Sequence, residues 1–319
     1  MGKYTHITTH ARAPEDERPE PNPWVQPRWK VADAIAVNVG LSGGGFFTEK
    51  SNPNFPADLD RIQKEASECI EAGATVIHFD HEAWQIRPKP GESVDYPASY
   101  RNIIKPLVKK YGRDKFMIDA NILRGKNFDE MLAMVYEGLN DMAYVNPLKS
   151  PVWIRAAVET MQENNCKPEI LVTQSHHIEI AQRLLIQPGL LQKPYYFLIL
   201  IGSPLLTERR NHVYIPNAKA MCESLLYLVE RIKEVDESSI IMVCSAGRAC
   251  RFMTTQALLL GLHIRVGMED TVWRYPHKDE MIERNVDEVQ DAIEIAKLHG
   301  YKILSANEFR TQIGLKTAK

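Results

Sequence analysis

The chain has 319 residues, with 39 Lys and Arg against 41 Asp and Glu, a formal charge of −2. That balance excludes nucleic-acid binding through phosphate neutralisation, and 44% hydrophobic with 25% charged residues excludes disorder along the whole chain. The longest apolar run, 195–201, is seven residues, far short of the about 20 that a membrane-spanning helix needs.

No basic stretch followed by an apolar core opens the chain, so no secretory signal is expected. Five cysteines without a CxxC spacing point to a reducing, cytoplasmic setting, with the thiols as small buried hydrophobes. Residues 1–30 read as an extended arm. Pro14, Pro19, Pro21 and Pro23 bar a helix or a central strand there. Trp24 and Trp29 are apolar enough to hold the arm on its own barrel or on a neighbouring subunit, and a disordered leader is the alternative.

From 31 to 319, short apolar runs alternate with amphipathic ones. The runs are 34–39, 75–79, 116–120, 142–145, 169–172, 196–200, 240–243 and 263–266. Several are apolar on both faces, as buried parallel strands require. Helical patterns fill the gaps. The stretch 57–72 places Leu59, Ile62, Ala66, Cys69 and Ile70 on one face. Residues 100–111 contain Pro106 and are expected to kink or break there. Further helices are expected at 129–139, 151–163, 178–185, 218–233, 249–260 and 286–299. Eight strands alternating with eight helices predict a (β/α)8 TIM barrel as one catalytic domain over 31–319. A doubly wound open sheet is the competitor, but no GxGxxG or GxxxxGK[ST] follows a strand.

In such a barrel the chemistry sits at the C-terminal ends of the strands. Residues leaving the strands include Asn38 and 40–45, then His78, Asp80, His81 and Glu82, then Asp119 and Asn121. Later exits bring Ser245, Gly247 and Arg248, then Glu269 and Asp270. Side chains alternate along a strand, so His78 and Asp80 enter the mouth together. With Glu269 they form a candidate divalent-metal site with open positions, suited to Zn, Mn, Fe or Mg. His81 is the alternative ligand to Asp80, or a nearby acid/base. The competing reading is a hydrogen-bonded His and Asp that stabilise the strand end. Arg265, if buried, needs an anion: Asp270, Glu269 or a substrate carboxylate. Asp270 is a candidate general base, with a structural ion pair as the alternative. Residues 245–248 open a helix whose backbone N–H groups suit a phosphate or carboxylate, making Ser245, Gly247 and Arg248 substrate-binding candidates.

The run Gly261-Leu262-His263-Ile264-Arg265-Val266-Gly267-Met268-Glu269-Asp270 resembles the G-x-x-x-R-V-G-x-E-D signature of the β-keto acid cleavage enzymes, also called the 3-keto-5-aminohexanoate cleavage family. Ala246-Gly247-Arg248 is similar to that family's strand-seven turn. The stretch from Glu71 through Ala72-Gly73-Ala74 to His78 resembles its entry to strand two, and Ala306, Glu308 and Arg310 with Gly314-Leu315 resemble its ending. The resemblance covers about residues 33–315 and implies a metal-containing (β/α)8 barrel, commonly with zinc and usually a homo-oligomer, such as a dimer or tetramer. The implied reaction condenses a β-keto acid with acetyl-CoA and releases acetoacetate and a new acyl-CoA. Carried over residue by residue, His78 and Glu269 are the implied metal ligands, and Arg265 and Asp270 the substrate-activating pair.

Departures from the family pattern touch its substrate and CoA contacts. His-x-His becomes His78-Phe79-Asp80, a harder and more negative ligand set. The strand-one and strand-three turns become 38–42 and 119–121, which makes Asn38 and Asn121 the substrate-binding candidates there. They motivate a second expectation, a diverged metal-dependent lyase, aldolase or hydrolase that does not use CoA. A catalytically silent binding protein is the third, and Arg265, Glu269 and Asp270 speak against it.

Overall fold

The structure, a computed structural model, describes residues 28–202 and 215–318. One compact unit begins at Ala32 and carries the barrel. Most of the expected arm at 1–30, including Trp24, lies outside the described residues.

A short strand β1 (Ala34–Ile35) pairs in parallel with β10 (Lys302–Ile303). Between them eight strands close into a parallel barrel in chain order: β2 (Val37–Gly43), β3 (Val76–Asp80), β4 (Met117–Ala120), β5 (Met142–Val145), β6 (Lys167–Val172), β7 (Tyr196–Ile201), β8 (Ile240–Ser245) and β9 (His263–Val266), with β9 pairing back onto β2. The expected barrel is present. Its first strand differs from expectation. Residues 34–39 divide, and the barrel strand continues through Asn38, Gly40 and Ser42 to Gly43. Polar and glycine residues that read as an exit are strand, because their side of β2 faces the barrel interior rather than a helix layer.

The helices are α1 (Leu59–Ala72), α2 (Ala98–Tyr111), α3 (Phe128–Met131), α4 (Ala133–Tyr136), α5 (Pro151–Glu163), α6 (Ser175–Ala181), α7 (Ala218–Val235), α8 (Cys250–Leu259), α9 (Asn285–Leu298) and α10 (Ala306–Gln312). Helix α1 starts where the Asp58 carboxylate accepts the Arg61 N–H and stops at Gly73 in the left-handed region. Its apolar face is the one the spacing predicts, and Leu59, Ile62, Ala66, Cys69 and Ile70 are all buried. Helix α2 runs unbroken through Pro106, so that turn lacks one helical hydrogen bond but does not end the helix. The single helix expected at 129–139 is two short ones, interrupted at Leu132.

The interior of the barrel is filled by Met117, Met142, Leu171, Tyr196, Leu198, Met242 and Cys244, together with Phe309 and Ile313 of the C-terminal segment. Phe309 is fully buried, worth about 2–3 kcal/mol by apolar burial. Beside it Arg310 is buried and donates to Asp141 at 2.9 Å and to the Phe116 carbonyl at 3.1 Å. Helix α10 thus seals the N-terminal end, and a cavity remains at the other. Among the described residues, no helix is long and apolar enough to cross a membrane.

Candidate active site

At the open end a cavity of about 340 Å³ is lined by, among others, Asp80, Glu82, Arg124, Arg265, Glu269 and Asp270. Its centre is an imidazole. His78 Nδ1 lies 2.7 Å from Asp119 Oδ2, and its Nε2 lies 3.3 Å from Glu269 Oε1, with all three side chains buried. Each ring nitrogen thus faces a carboxylate, and the two together fix the ring's orientation.

The sequence placed His78 on the second barrel strand and Glu269 after the last, two strands that are neighbours of β2 but not of each other. They meet because residue 40, across from His78 on the intervening strand, is glycine. A Cβ there would stand 3.0 Å from Arg265 Nη2 and 3.1 Å from Glu269 Oε2.

Asp80 shares the face of His78, as the alternation predicts. One ring nitrogen of His78 and one carboxylate oxygen each of Asp80 and Glu269 lie within 4.8 Å of one another. Asp80 Oδ1 accepts from Arg124 Nη2 at 2.7 Å and from Asn121 Nδ2, while Oδ2 accepts from the Gly44 N–H at 3.2 Å. His81 turns the other way. Its Nε2 is 2.9 Å from Ser99 Oγ, its ring stacks on Tyr100, and burial lowers it to about 3, so it is a neutral structural group.

Arg265 is held by two carboxylates. Its Nε and Nη2 each meet Asp270 at 2.9 Å, and Nη2 also meets Glu269 at 2.6 Å. The pair leaves Asp270 at the cavity lining in a fixed orientation.

The electrostatics separate these groups. Burial and Arg265 oppose the charge on His78, yet Asp119 and Glu269 push it up to about 10. Burial raises Asp80 to about 6 against the pull of Arg124. Burial also opposes ionisation of Glu269, but Arg265 and His78 hold it below the ordinary range. Asp270 is raised by burial in spite of Arg265, which makes it a stronger base than a solvated carboxylate.

This donor set fits a divalent cation. The four buried carboxylates of Asp80, Asp119, Glu269 and Asp270 face two guanidiniums, Arg124 and Arg265. A divalent ion beside a neutral His78 closes that deficit. Glu269 Oε2 is buried without a hydrogen bond, and so is His78 Nε2. One imidazole nitrogen and carboxylate oxygens are ligands for Zn, Mn, Fe or Mg. Asp119, behind the ring, supplies the carboxylate that commonly orients a ligating imidazole.

The other candidates fall elsewhere. Asn38 lies beneath the mouth, its Nδ2 3.4 Å from Asp119 Oδ2. Asn121 is engaged by Asp80 and by the Tyr144 hydroxyl at 2.8 Å. Ser245 is buried at the end of β8 and does not line this cavity. The Gly247 N–H donates to the Asp270 carbonyl at 2.7 Å. Arg248 lines a second cavity, bonded to Asp279 at 2.5 Å and stacked 4.5 Å from the Trp273 ring centre. Three residues the sequence reading left without a role belong to the site: Asp119, Arg124 and Tyr144. Asp119 enters the site through its register opposite His78, which strand alternation alone does not give. Arg124 sits in a loop and had no spacing signal.

A family model described as "beta-keto acid cleavage enzyme" matches residues 35–315. A 3-keto-5-aminohexanoate cleavage enzyme of Fusobacterium nucleatum is 27% identical over 299 residues, covering 90% of this chain and 100% of the relative. One from Acetoanaerobium sticklandii is 28% identical, covering 85% and 95%. A 3-dehydrocarnitine:acetyl-CoA trimethylamine transferase of Rhizobium meliloti is 21% identical, covering 88% and 96%. Among solved structures, a ternary complex of ObcA with a C4-CoA adduct and oxalate superposes with a TM-score of 0.63 at 19% identity, covering 82% of this chain and 68% of that one. That likeness supports the barrel fold.

Proposed function

Because this chain belongs to the β-keto acid cleavage enzyme family, we propose that it transfers the acyl group of a β-keto acid to CoA in a metal-dependent retro-Claisen exchange. A β-keto acid R–CO–CH2–COO⁻ and acetyl-CoA give R–CO–CoA and acetoacetate. The observation that carries this reading is the convergence of His78, Asp80 and Glu269 beside the Arg265–Asp270 pair in one cavity.

His78, Asp80 and Glu269 would hold the ion. A bound divalent ion, zinc first among the candidates, supplies Lewis-acid polarisation of the substrate's keto and carboxylate oxygens. Asp270 takes the proton from the carbon between keto group and carboxylate. Its raised basicity suits that transfer, and Arg265 fixes its orientation through two 2.9 Å contacts. The resulting carbanion attacks the acetyl carbonyl of acetyl-CoA and expels the thiolate. The thiolate adds to the original acyl carbonyl, the C–C bond to that acyl group breaks, and Asp270 returns its proton to the acetoacetate carbanion. Arg265 also offers positive charge where the enolate develops.

The test is acetoacetate formation from acetyl-CoA and a panel of β-keto acids, with chelator controls. Turnover that chelation abolishes and added metal restores supports the proposal. Metal-loaded protein that binds no CoA and turns over no acid overturns it in favour of the CoA-independent lyase, aldolase or hydrolase.

A further inference from the structure

The cavity has two unlike walls. Its charged lining residues are Asp80, Glu82, Arg124, Arg265, Glu269 and Asp270, all from β3, β9 and the segments that follow β3, β4 and β9. They answer one another: Arg265 takes Asp270 and Glu269, and Arg124 takes Asp80 and Glu82 at 2.7 and 3.0 Å. Opposite them, β6 and β7 present Leu171, Leu198 and Leu200, and the polar side chains of Tyr144, Asn146, Thr173 and His177 complete the lining. Leu171 and Leu198 are buried and continuous with the methionine-rich filling of the barrel, and Leu200 packs against that cluster. Beyond the paired end, no Asp, Glu, Lys or Arg lines the cavity among the described residues.

We propose, resting on the reading of this cavity as a β-keto acid site, that its substrate carries an uncharged aliphatic chain beyond the keto carbon, laid against Leu171, Leu198 and Leu200. The reacting end is fixed by the charged wall, which points the remainder of the molecule at the leucines. An ammonium or carboxylate on that tail loses its hydration against the leucines and meets no Asp, Glu, Lys or Arg there among the described residues. A methylene buried there improves binding by about fourfold.

Three substrates separate the cases: 3-oxohexanoate, 3-keto-5-aminohexanoate with its cationic amino group, and 3-oxoadipate with its terminal carboxylate. With metal-loaded protein and acetyl-CoA, kcat/KM for 3-oxohexanoate is expected to exceed either charged acid by about 100-fold or more. Leu200→Asp, at the more open end of the wall, is expected to move the preference toward the amino acid substrate by at least about tenfold, and circular dichroism checks that it folds. Equal or better use of a charged acid by the parent protein overturns the inference. Equilibrium binding of the unreactive 3-hydroxyhexanoate and 3-hydroxyadipate gives a readout independent of turnover and of the variant. Tighter binding of 3-hydroxyhexanoate supports the leucine-wall assignment, and equal or weaker binding refutes it. If no acid is turned over, the proposed activity fails and this binding pair still decides the inference.

Discussion

Metal binding is expected to displace a proton from His78, and Asp119→Asn is the perturbation that exposes it. In the metal-free protein Asp119 and Glu269 push His78 up to about 10. At pH 8 the imidazole is then roughly 99% protonated, and it must lose that proton to ligate. Asp80, raised to about 6, is already about 99% ionised at pH 8 and contributes almost nothing. Titration of metal into chelator-stripped protein at pH 8, in two buffers of different ionisation enthalpy, is expected to show close to one proton released per ion. Apparent affinity is expected to rise about tenfold between pH 7 and pH 8. Asp119→Asn removes a carboxylate 2.7 Å from Nδ1, so the variant is expected to release clearly less than one proton and show a shallower pH dependence. No proton release by the parent protein, or an identical release by Asp119→Asn, refutes the reasoning.

Asp270→Asn keeps the shape of the pair with Arg265 but removes the base, so kcat is expected to fall by about 10²–10⁴ with KM little changed; steady-state kinetics checks this. Gly40→Ala puts a methyl 3.0–3.1 Å from Arg265 and Glu269. It is expected to weaken metal binding by about tenfold or more while thermal unfolding stays cooperative. Glu169 is buried in the barrel, and burial pushes it up to about 8 from 4.5. The folded state therefore holds a proton that the unfolded chain releases, so this group makes stability fall as pH rises from about 4.5 through 8. The full penalty is about 5 kcal/mol. Glu169→Gln is expected to be more stable than the parent at pH 8.5 and to lose that advantage below pH 5 in pH-dependent denaturant melts.

The barrel was legible because buried parallel strands need apolar residues on both faces and their helices need an apolar stripe, patterns that survive in one sequence. The pairing of His78 with Asp80 followed from strand alternation, and an anionic partner for Arg265, with Asp270 and Glu269 among the candidates, from the need of a buried guanidinium for an anion. Where reading stopped, the determinant was spatial. Gly40 read as a loop because glycine leaves no strand pattern, yet it lies within β2 opposite His78. The contact of Asp119 with His78 depends on cross-strand register. Arg124 reaches Asp80 from a loop that has no periodicity. Gly247 and Arg248 stand at the right strand end, but the Gly247 N–H is bonded to the Asp270 carbonyl and Arg248 turns to Asp279 and Trp273.

Elemental analysis of the purified protein beside His78→Ala, with anomalous scattering to locate the ion, addresses the whole scheme most directly. One divalent ion per chain bound at His78, Asp80 and Glu269, and lost from a folded His78→Ala, is the predicted result. A parent protein without stoichiometric metal, or a variant that keeps it, contradicts the account.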